Sequence, residues 1–170
     1  MRIIEYITQG GPIMYILLLL NICGFAVMIS KFFLFNKEIN KIEESANDLN
    51  GKIDKAGKDA NSLLELAKQE LSLYIGGLEK GLNTVKIIAT ISPLLGLLGT
   101  VIGVLVAFRV MSQTGLNNPA SFAQGISMAL ITTVGGMIVA IPHYIGHSYL
   151  MGILDRVEID LEKTLVGKVL

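Results

Sequence analysis

The chain has 170 residues with 14 basic and 14 acidic side chains, a formal charge of zero, and is 52% hydrophobic with a mean hydropathy of +0.60. That profile excludes a disordered chain and is too apolar for an ordinary soluble domain of this size. It also lacks the basic cluster that a nucleic-acid footprint needs, so no nucleic-acid partner is expected. The single cysteine, Cys23, rules out an internal disulfide and reads as a small hydrophobe.

Tyr6 to Ser30 contains no Lys, Arg, Asp or Glu. Gly10-Gly11-Pro12 reads as a turn followed by a helix start, with proline tolerated in the first turn because its missing N–H would be unpaired anyway. A helix needs about 20 predominantly apolar residues to span the hydrocarbon layer, so a first crossing is expected at about 12–34. The weak basic flank, the long apolar run and the absence of a small-x-small site argue for an uncleaved helix rather than a signal peptide. This run is bulky, which suits a lipid-facing position. Its one strongly polar side chain, Asn21, should face protein.

A polar but patterned segment follows, expected as a helical hairpin over about 35–84. Ile39, Ile42, Ala46, Leu49, Ile53, Ala56, Ala60, Leu63 and Ala67 recur at steps of three and four, as on one helix face. The first helix is expected to run on below the membrane and reverse within about 50–58, where Asn50-Gly51 interrupts the stripe and Gly57 weakens it. It would then return as a helix leading into the second crossing.

The second crossing, at about 85–112, contains Ser92-Pro93-Leu94-Leu95-Gly96-Leu97-Leu98-Gly99-Thr100-Val101-Ile102-Gly103. Gly99, Gly103 and Ala107 lie four apart on one face, and Gly96 and Thr100 form a neighbouring small ridge. Such ridges let helix backbones approach closely in lipid. Pro93 should kink or loosen the helix near its entry. Asn118-Pro119 reads as cap plus first-turn proline for a third crossing at about 120–150. That helix has two small faces, Ser121, Gly125, Ala129 and Thr133, then Thr132, Gly136 and Ala140, with Pro142 placed to bend its far half. Beyond Tyr149 the pattern turns amphipathic, with Val157, Ile159, Leu161 and Leu165 among charges, which predicts a terminal helix over 151–170. Between Ile87 and Leu154 the only fixed charge is Arg109.

The fold class expected is an all-α membrane protein, a single domain over 1–170 with three transmembrane helices and helical cytoplasmic extensions. Twelve bases lie in the middle segment and C-terminal tail against two on the other side. The positive-inside rule then makes the hairpin and C-terminus cytoplasmic and the N-terminus periplasmic.

No phosphate-binding loop, dinucleotide fingerprint, HExxH or CxxC is present, so no enzymatic activity, cofactor or metal is expected. His143 and His147 lie four apart, but no third ligand is near them, and they read as interfacial histidines bonded to backbone or water. No Asp or Glu lies inside a crossing, so a proton passing here needs a carboxylate from a partner. Thr100 and Thr133 allow two readings. Each hydroxyl either bonds back to its own helix and merely packs, or lines an interior surface that meets water or a partner's carboxylate.

The runs Pro93-Leu94-Leu95-Gly96-Leu97-Leu98-Gly99-Thr100-Val101-x-Gly103, Gly125-Ile126, Ala129-Leu130-Ile131-x-Thr133 and Ala140-Ile141-Pro142 resemble the MotA/TolQ/ExbB family of inner-membrane proton-channel proteins. Three crossings resemble its ExbB or TolQ branch, because flagellar stators have four. The resemblance implies a bacterial inner-membrane homopentamer around two single-pass ExbD/TolR-like subunits, whose membrane aspartate carries protons past Thr100 and Thr133. It further implies coupling of the proton motive force to a TonB- or TolA-like protein. Apart from the resemblance, the small ridges and prolines assign Pro93, Gly96, Gly99, Gly103, Gly125, Ala129, Gly136 and Pro142 to helix packing. Two positions depart from the family pattern: Met128 stands where a glutamate is typical, and Thr132 where alanine is usual. A TolQ-like role in envelope maintenance, a stator and a non-conducting scaffold are the alternatives.

Overall fold

A computed structural model describes residues 2–53, 59–115 and 119–169. They form α1 (Arg2–Gln9), α2 (Gly11–Ile39), α3 (Ile42–Lys52), α4 (Ala60–Glu79), α5 (Leu82–Thr114) and α6 (Pro119–Val169), with no strand among the described residues. Three stretches, Gly11–Ile39, Leu82–Gln113 and Phe122–Lys168, are long and apolar enough to cross a membrane. They contain the three expected crossings almost whole. The protein is an all-α, multi-pass membrane protein.

The helix boundaries correct the sequence reading in four places. The chain enters through α1, a helix of only eight residues that apolar run length does not signal. Gly10 follows it, its N–H bonding to the Tyr6 carbonyl oxygen at 3.0 Å, and Gly11 adopts φ +66°, a conformation costly to residues with a Cβ. The expected Gly-Gly-Pro turn is therefore present. Second, α2 stops at Ile39 instead of running to residue 50. The Asn40 side-chain amide donates to the Asn36 carbonyl at 2.9 Å, and the Lys41 N–H reaches the Glu38 carbonyl at 2.9 Å. These contacts satisfy the last turn and let α3 restart. Third, Asn50-Gly51 does not interrupt the stripe. Both residues lie in the final turn of α3, where low propensity is tolerated, and the helix ends at Lys52, with Ile53 extended after it. Gly57 and any reversal after Ile53 lie outside the described residues, as does the Asn118 cap.

Fourth, α4 does not run into the second crossing. Lys80-Gly81 separates it from α5, with Gly81 at φ +95°. Lys31, on α2, donates from Nζ to the Leu78 carbonyl oxygen at 2.8 Å, so a cation from a different helix satisfies one of the unpaired carbonyls at the end of α4.

Contacts divide the chain into two compact units, the first built from the segment ending at Ala26 with Thr84–Ile145, the second from Val27–Asn83 with Gly146–Leu170. Helices α2, α5 and α6 contribute residues to both. The second unit holds the larger core: Phe35, Ala46, Leu49, Ile53, Ala67, Leu71, Ile75, Leu78 and Leu82 pack with Leu150, Leu154, Val157, Leu161 and Leu165. Most of the amphipathic stripe is inside. Ile39 and Ala60 are exceptions, being the last residue of α2 and the first of α4, and Ile159 is also exposed. A polar clasp joins three helices of this unit. The Tyr74 hydroxyl donates to Glu38 Oε2 at 2.7 Å, and the Ser45 hydroxyl donates to the same oxygen at 3.2 Å.

Candidate functional site

In the first unit α5 and α6 run antiparallel along a seam where glycines stand in for side chains. A Cβ on Gly96 would lie 2.8 Å from the Thr132 carbonyl oxygen, one on Gly103 2.7 Å from the Gly125 carbonyl oxygen, and one on Gly125 2.7 Å from the Ala107 Cβ. Gly136 faces the Ser92 carbonyl oxygen, and Gly99 abuts the Thr132 side chain. Ala107 and Ala129 are buried beside them. From Ser92 to Ala107 the seam runs about 22 Å at 1.5 Å per residue, most of the hydrocarbon thickness. The ridges expected on the two crossings thus meet each other. In lipid this is how helices associate, because burying apolar surface brings no gain there and close backbone packing does. Pro93 and Pro142 lie inside α5 and α6, both half-buried.

The two threonines singled out by sequence lie along this seam. Thr133 is half-buried, its hydroxyl 3.4 Å from the Gly96 carbonyl oxygen of α5 and 3.4 Å from the Ala129 carbonyl oxygen of its own helix. Thr100 lies one helical turn from Gly96. Its hydroxyl donates to the Leu97 carbonyl at 2.6 Å, and it lines an outward groove of about 400 Å³ with Val101, Val104, Leu105 and Phe108. Both hydroxyls therefore bond backbone carbonyls here, while neither is sealed from the exterior. The fully buried hydroxyls are different ones. Thr132, at 0% exposure, donates to the Ala129 carbonyl at 2.8 Å, and Ser92 donates to the Ile88 carbonyl at 2.7 Å. Thr132 is the residue that packs on Gly99, so of the adjacent pair Thr132 fills the seam and Thr133 stays at its edge. The placement of Gly99 opposite it is the signal that sequence periodicity could not resolve.

Met128 is half-buried, and its methyl lies 3.1 Å from where a Cβ on Gly11 would stand. It borders a recess of about 440 Å³ shared with Gln9, Gln124 and Ser127. The polar groups there are neutral amides and a hydroxyl. Asn21 is half-buried and lines an otherwise mostly apolar groove of about 570 Å³ between α1, α2 and α6, so it faces protein on one side as expected. The Ser121 side chain lies outside the described residues. His143 is bonded to backbone as expected, with Nδ1 2.7 Å from the Val139 carbonyl oxygen, but it is buried within the protein at 0% exposure. His143 packs on Gly24 from 119 positions away in sequence, which no local pattern reveals. Among the described residues no group of three or more His, Cys, Asp or Glu could hold a metal ion.

The model of the MotA/TolQ/ExbB proton channel family matches residues 33–163, most of the chain and the whole of the seam. The chain belongs to this family. Its relatives include an ExbB homolog of Methanothermobacter thermautotrophicus, described as a biopolymer transport protein, 29% identical over 187 aligned positions covering 93% of this chain and 66% of that one. The biopolymer transport protein exbB1 of Vibrio cholerae is 42% identical over 86 positions, covering 50% of this chain and 38% of that one. The biopolymer transport protein ExbB of Salmonella typhimurium is 32% identical over 121 positions, covering 70% and 47%. The chain thus spans between about two-fifths and two-thirds of the length of these relatives. The family model covers the α5–α6 seam and all of the candidate site residues.

Proposed function

We propose that this chain is the channel-forming subunit of an inner-membrane complex that couples the proton motive force to a TonB-type protein serving outer-membrane import. In this reading five copies surround single-pass ExbD/TolR-like subunits, α2 faces lipid, and α5 and α6 line the central space. The N-terminus is periplasmic and the C-terminus cytoplasmic. A carboxylate on the single-pass partner carries each proton past Thr100 and Thr133, and the chain performs no enzymatic step of its own. The observation that carries the reading is the position of Thr133 at the edge of a glycine-packed seam, its hydroxyl held only by long contacts. Such a hydroxyl can be recruited by a carboxylate at little local cost, and family membership supplies the context.

The test is replacement of each threonine by valine, which keeps the shape and removes the hydroxyl, in cells where growth depends on the cognate single-pass partner. Loss of a hydrogen bond to a charged group costs about 1.5–3 kcal/mol, which slows a step roughly 10-fold or more if it falls on the barrier. Complex yield should stay near the parent's, because the glycine contacts are untouched. Met128→Ala is the internal control, since a thioether neither holds nor relays a proton, and it should affect coupling less than Thr133→Val. Assembly and transduction both unchanged in the two threonine variants would reject the reading. A scaffold role is the second reading, favoured by the backbone bonds of both hydroxyls, and a purified complex that holds its natural partner but moves no protons would favour it. Genomic adjacency to a TonB-type or a Tol-type partner distinguishes import from envelope maintenance.

A further inference from the structure

Residues 1–30 and 87–154 hold three fixed side-chain charges in all, Arg2, Glu5 and Arg109, and Glu5 is the only acid among them. Glu5 on α1 and Arg109 on α5 are both exposed, and neither has an ion-pair partner among the described residues. They stand at the same end of the first unit. Arg109 lies two residues past Ala107, which meets Gly125 near the start of α6, and Gln9 of α1 shares a recess with Ala120, Gln124 and Ser127.

They also stand on opposite flanks. At about 100° per residue, Arg109 is about 200° round α5 from Ala107, on the face turned away from the seam. Leu98, Ile102 and Leu105 share that face at steps of four, three and four, and all are exposed. On α6, Val134 is nine positions past Gly125, about half a turn round from the seam. It lines the groove between α1, α2 and α6 together with Tyr6, Leu18 and Asn21. The order across the unit is therefore α1, α6, α5, with Glu5 at one edge and Arg109 at the other.

We infer that these flanks are the two halves of a head-to-tail interface between copies of this chain. The exposed α5 stripe of one copy lies along the α1–α2–α6 groove of the next, and Arg109 of the first pairs with Glu5 of the second at the rim. Complementary patches on opposite sides of one subunit make a heterologous contact, which forms a ring when the rotation between copies closes. A second copy is the occupant because each flank supplies what the other lacks: an apolar stripe ending in a cation, and an apolar groove ending in an acid. A charge inside a membrane-spanning helix characteristically pairs, and a polar side chain at membrane depth belongs against protein. An acyl chain would fill the groove but leave the half-buried Asn21 amide against hydrocarbon. The inference rests on the homo-oligomeric part of the proposed function and not on proton movement.

The test uses the full chain, extracted from its native membrane, with subunits counted by native mass spectrometry. Arg109→Glu and Glu5→Arg each bring like charges together and should lower the oligomeric fraction at limiting concentration roughly 10-fold, and the double reversal should restore it to within about twofold. Arg109→Gln and Glu5→Gln guard against a fold that rejects the reversed charge. Each should give a smaller loss, and the two combined should lose no more than either alone. Cross-linking supplies the direction: in a Cys23→Ser background, Thr8→Cys and Ser112→Cys replace exposed residues one turn from Glu5 and Arg109. A short bis-maleimide should join chains carrying both into a ladder up to the full oligomer, and a co-expressed mixture of the two single variants only into dimers. An oligomer untouched by the charge reversals, with no link between positions 8 and 112, overturns the interface and leaves the homo-oligomer standing. A monomeric parent overturns both. Loss of bound anionic phospholipid in Arg109→Gln, with the oligomer intact, would assign Arg109 to a lipid phosphate and overturn the pairing.

Discussion

Gly103→Ala is the sharpest probe of the α5–α6 seam. The added methyl would stand 2.7 Å from the Gly125 carbonyl oxygen, 2.8 Å from the Ala129 nitrogen and 2.9 Å from the Ala129 Cβ. Two of these neighbours are backbone atoms on the opposing helix, so no rotamer change relieves them. An ordinary contact begins near 3.4 Å, so the helices must part by about 0.7 Å. A gap of that size forfeits a quarter to a half of the dispersion attraction where contacts are lost. Overpacking of this kind costs about 1–3 kcal/mol, and rigid backbone neighbours place this site at the upper end. Against that stands the roughly 0.8–1.0 kcal/mol by which alanine outranks glycine in a helix, leaving a net loss of about 2 kcal/mol. Gly76→Ala in α4 is the control, since nothing lies within 4 Å of its Cβ position. It should show only the propensity gain, about 1 kcal/mol. Unfolding of the purified protein in micelles, by heat or by graded SDS, measures both. A Gly103→Ala variant as stable as the parent would mean that the seam is not closed as described.

The His143 seat should behave as a size-matched pair: Gly24→Ala should destabilise by about 1–3 kcal/mol. Adding His143→Ala should recover part of that loss, because the colliding Nε2 and Cδ2 atoms are gone; absence of coupling in the double-mutant cycle would refute the contact. Tyr74→Phe removes the 2.7 Å bond to Glu38 and should lower the melting point by the equivalent of about 1 kcal/mol, the charged-acceptor value reduced for partial exposure. Burial pushes the Tyr74 phenol above its ordinary value, opposed by the Ser45 hydroxyl and aided by the Glu38 carboxylate. The neutral phenol's contribution is thus complete below about pH 10, the unfolded value, and is lost as pH rises through the higher folded value. Unfolding measured from about pH 8 to about pH 11, roughly two units below and one unit above that reference, should show a decline that Tyr74→Phe lacks.

The parts of this fold legible in sequence are those that one helix specifies by itself. Apolar length marks the crossings, and a three-four stripe marks Ala46, Leu49, Ala67, Val157, Leu161 and Leu165 as interior. The small ridges announce that α5 and α6 pack closely without saying on what. Features decided between distant segments were hidden. Whether Thr132 or Thr133 enters the seam depends on the rotation of α6 against Gly99, and the two residues are one position apart. The end of α4 depends on a lysine 47 positions earlier. The N-terminal helix escaped because eight residues are too few for periodicity to distinguish from a polar flank. His143 sits among Tyr144 and His147, a composition that reads as interface; its burial follows from a glycine on another helix.

The hydrogen bonds of the two threonines are unequal, and that inequality orders their expected roles within the channel reading. The Thr100 hydrogen is committed at 2.6 Å to the Leu97 carbonyl, so a carboxylate could recruit it only by breaking a short bond. Thr100 lines the outward groove, and its oxygen keeps acceptor capacity, so it can accept a hydrogen from a protonated carboxyl or from water without disturbing α5. The Thr133 hydrogen is shared between two carbonyls at 3.4 Å, near the limit at which a contact counts as a hydrogen bond. A carboxylate arriving at the seam takes that hydrogen at almost no local expense. Thr133 is then the donor that stabilises the charged carboxylate, and Thr100 the acceptor that meets its protonated form. A bond to a charged group is about twice as strong as a neutral one. Thr133→Val should therefore impair coupling more than Thr100→Val, while Thr133→Ser, which keeps the donor, should restore most of the activity. If Thr100→Val proved the more damaging of the two, with both complexes assembled in equal yield, this division of roles would have to be reversed.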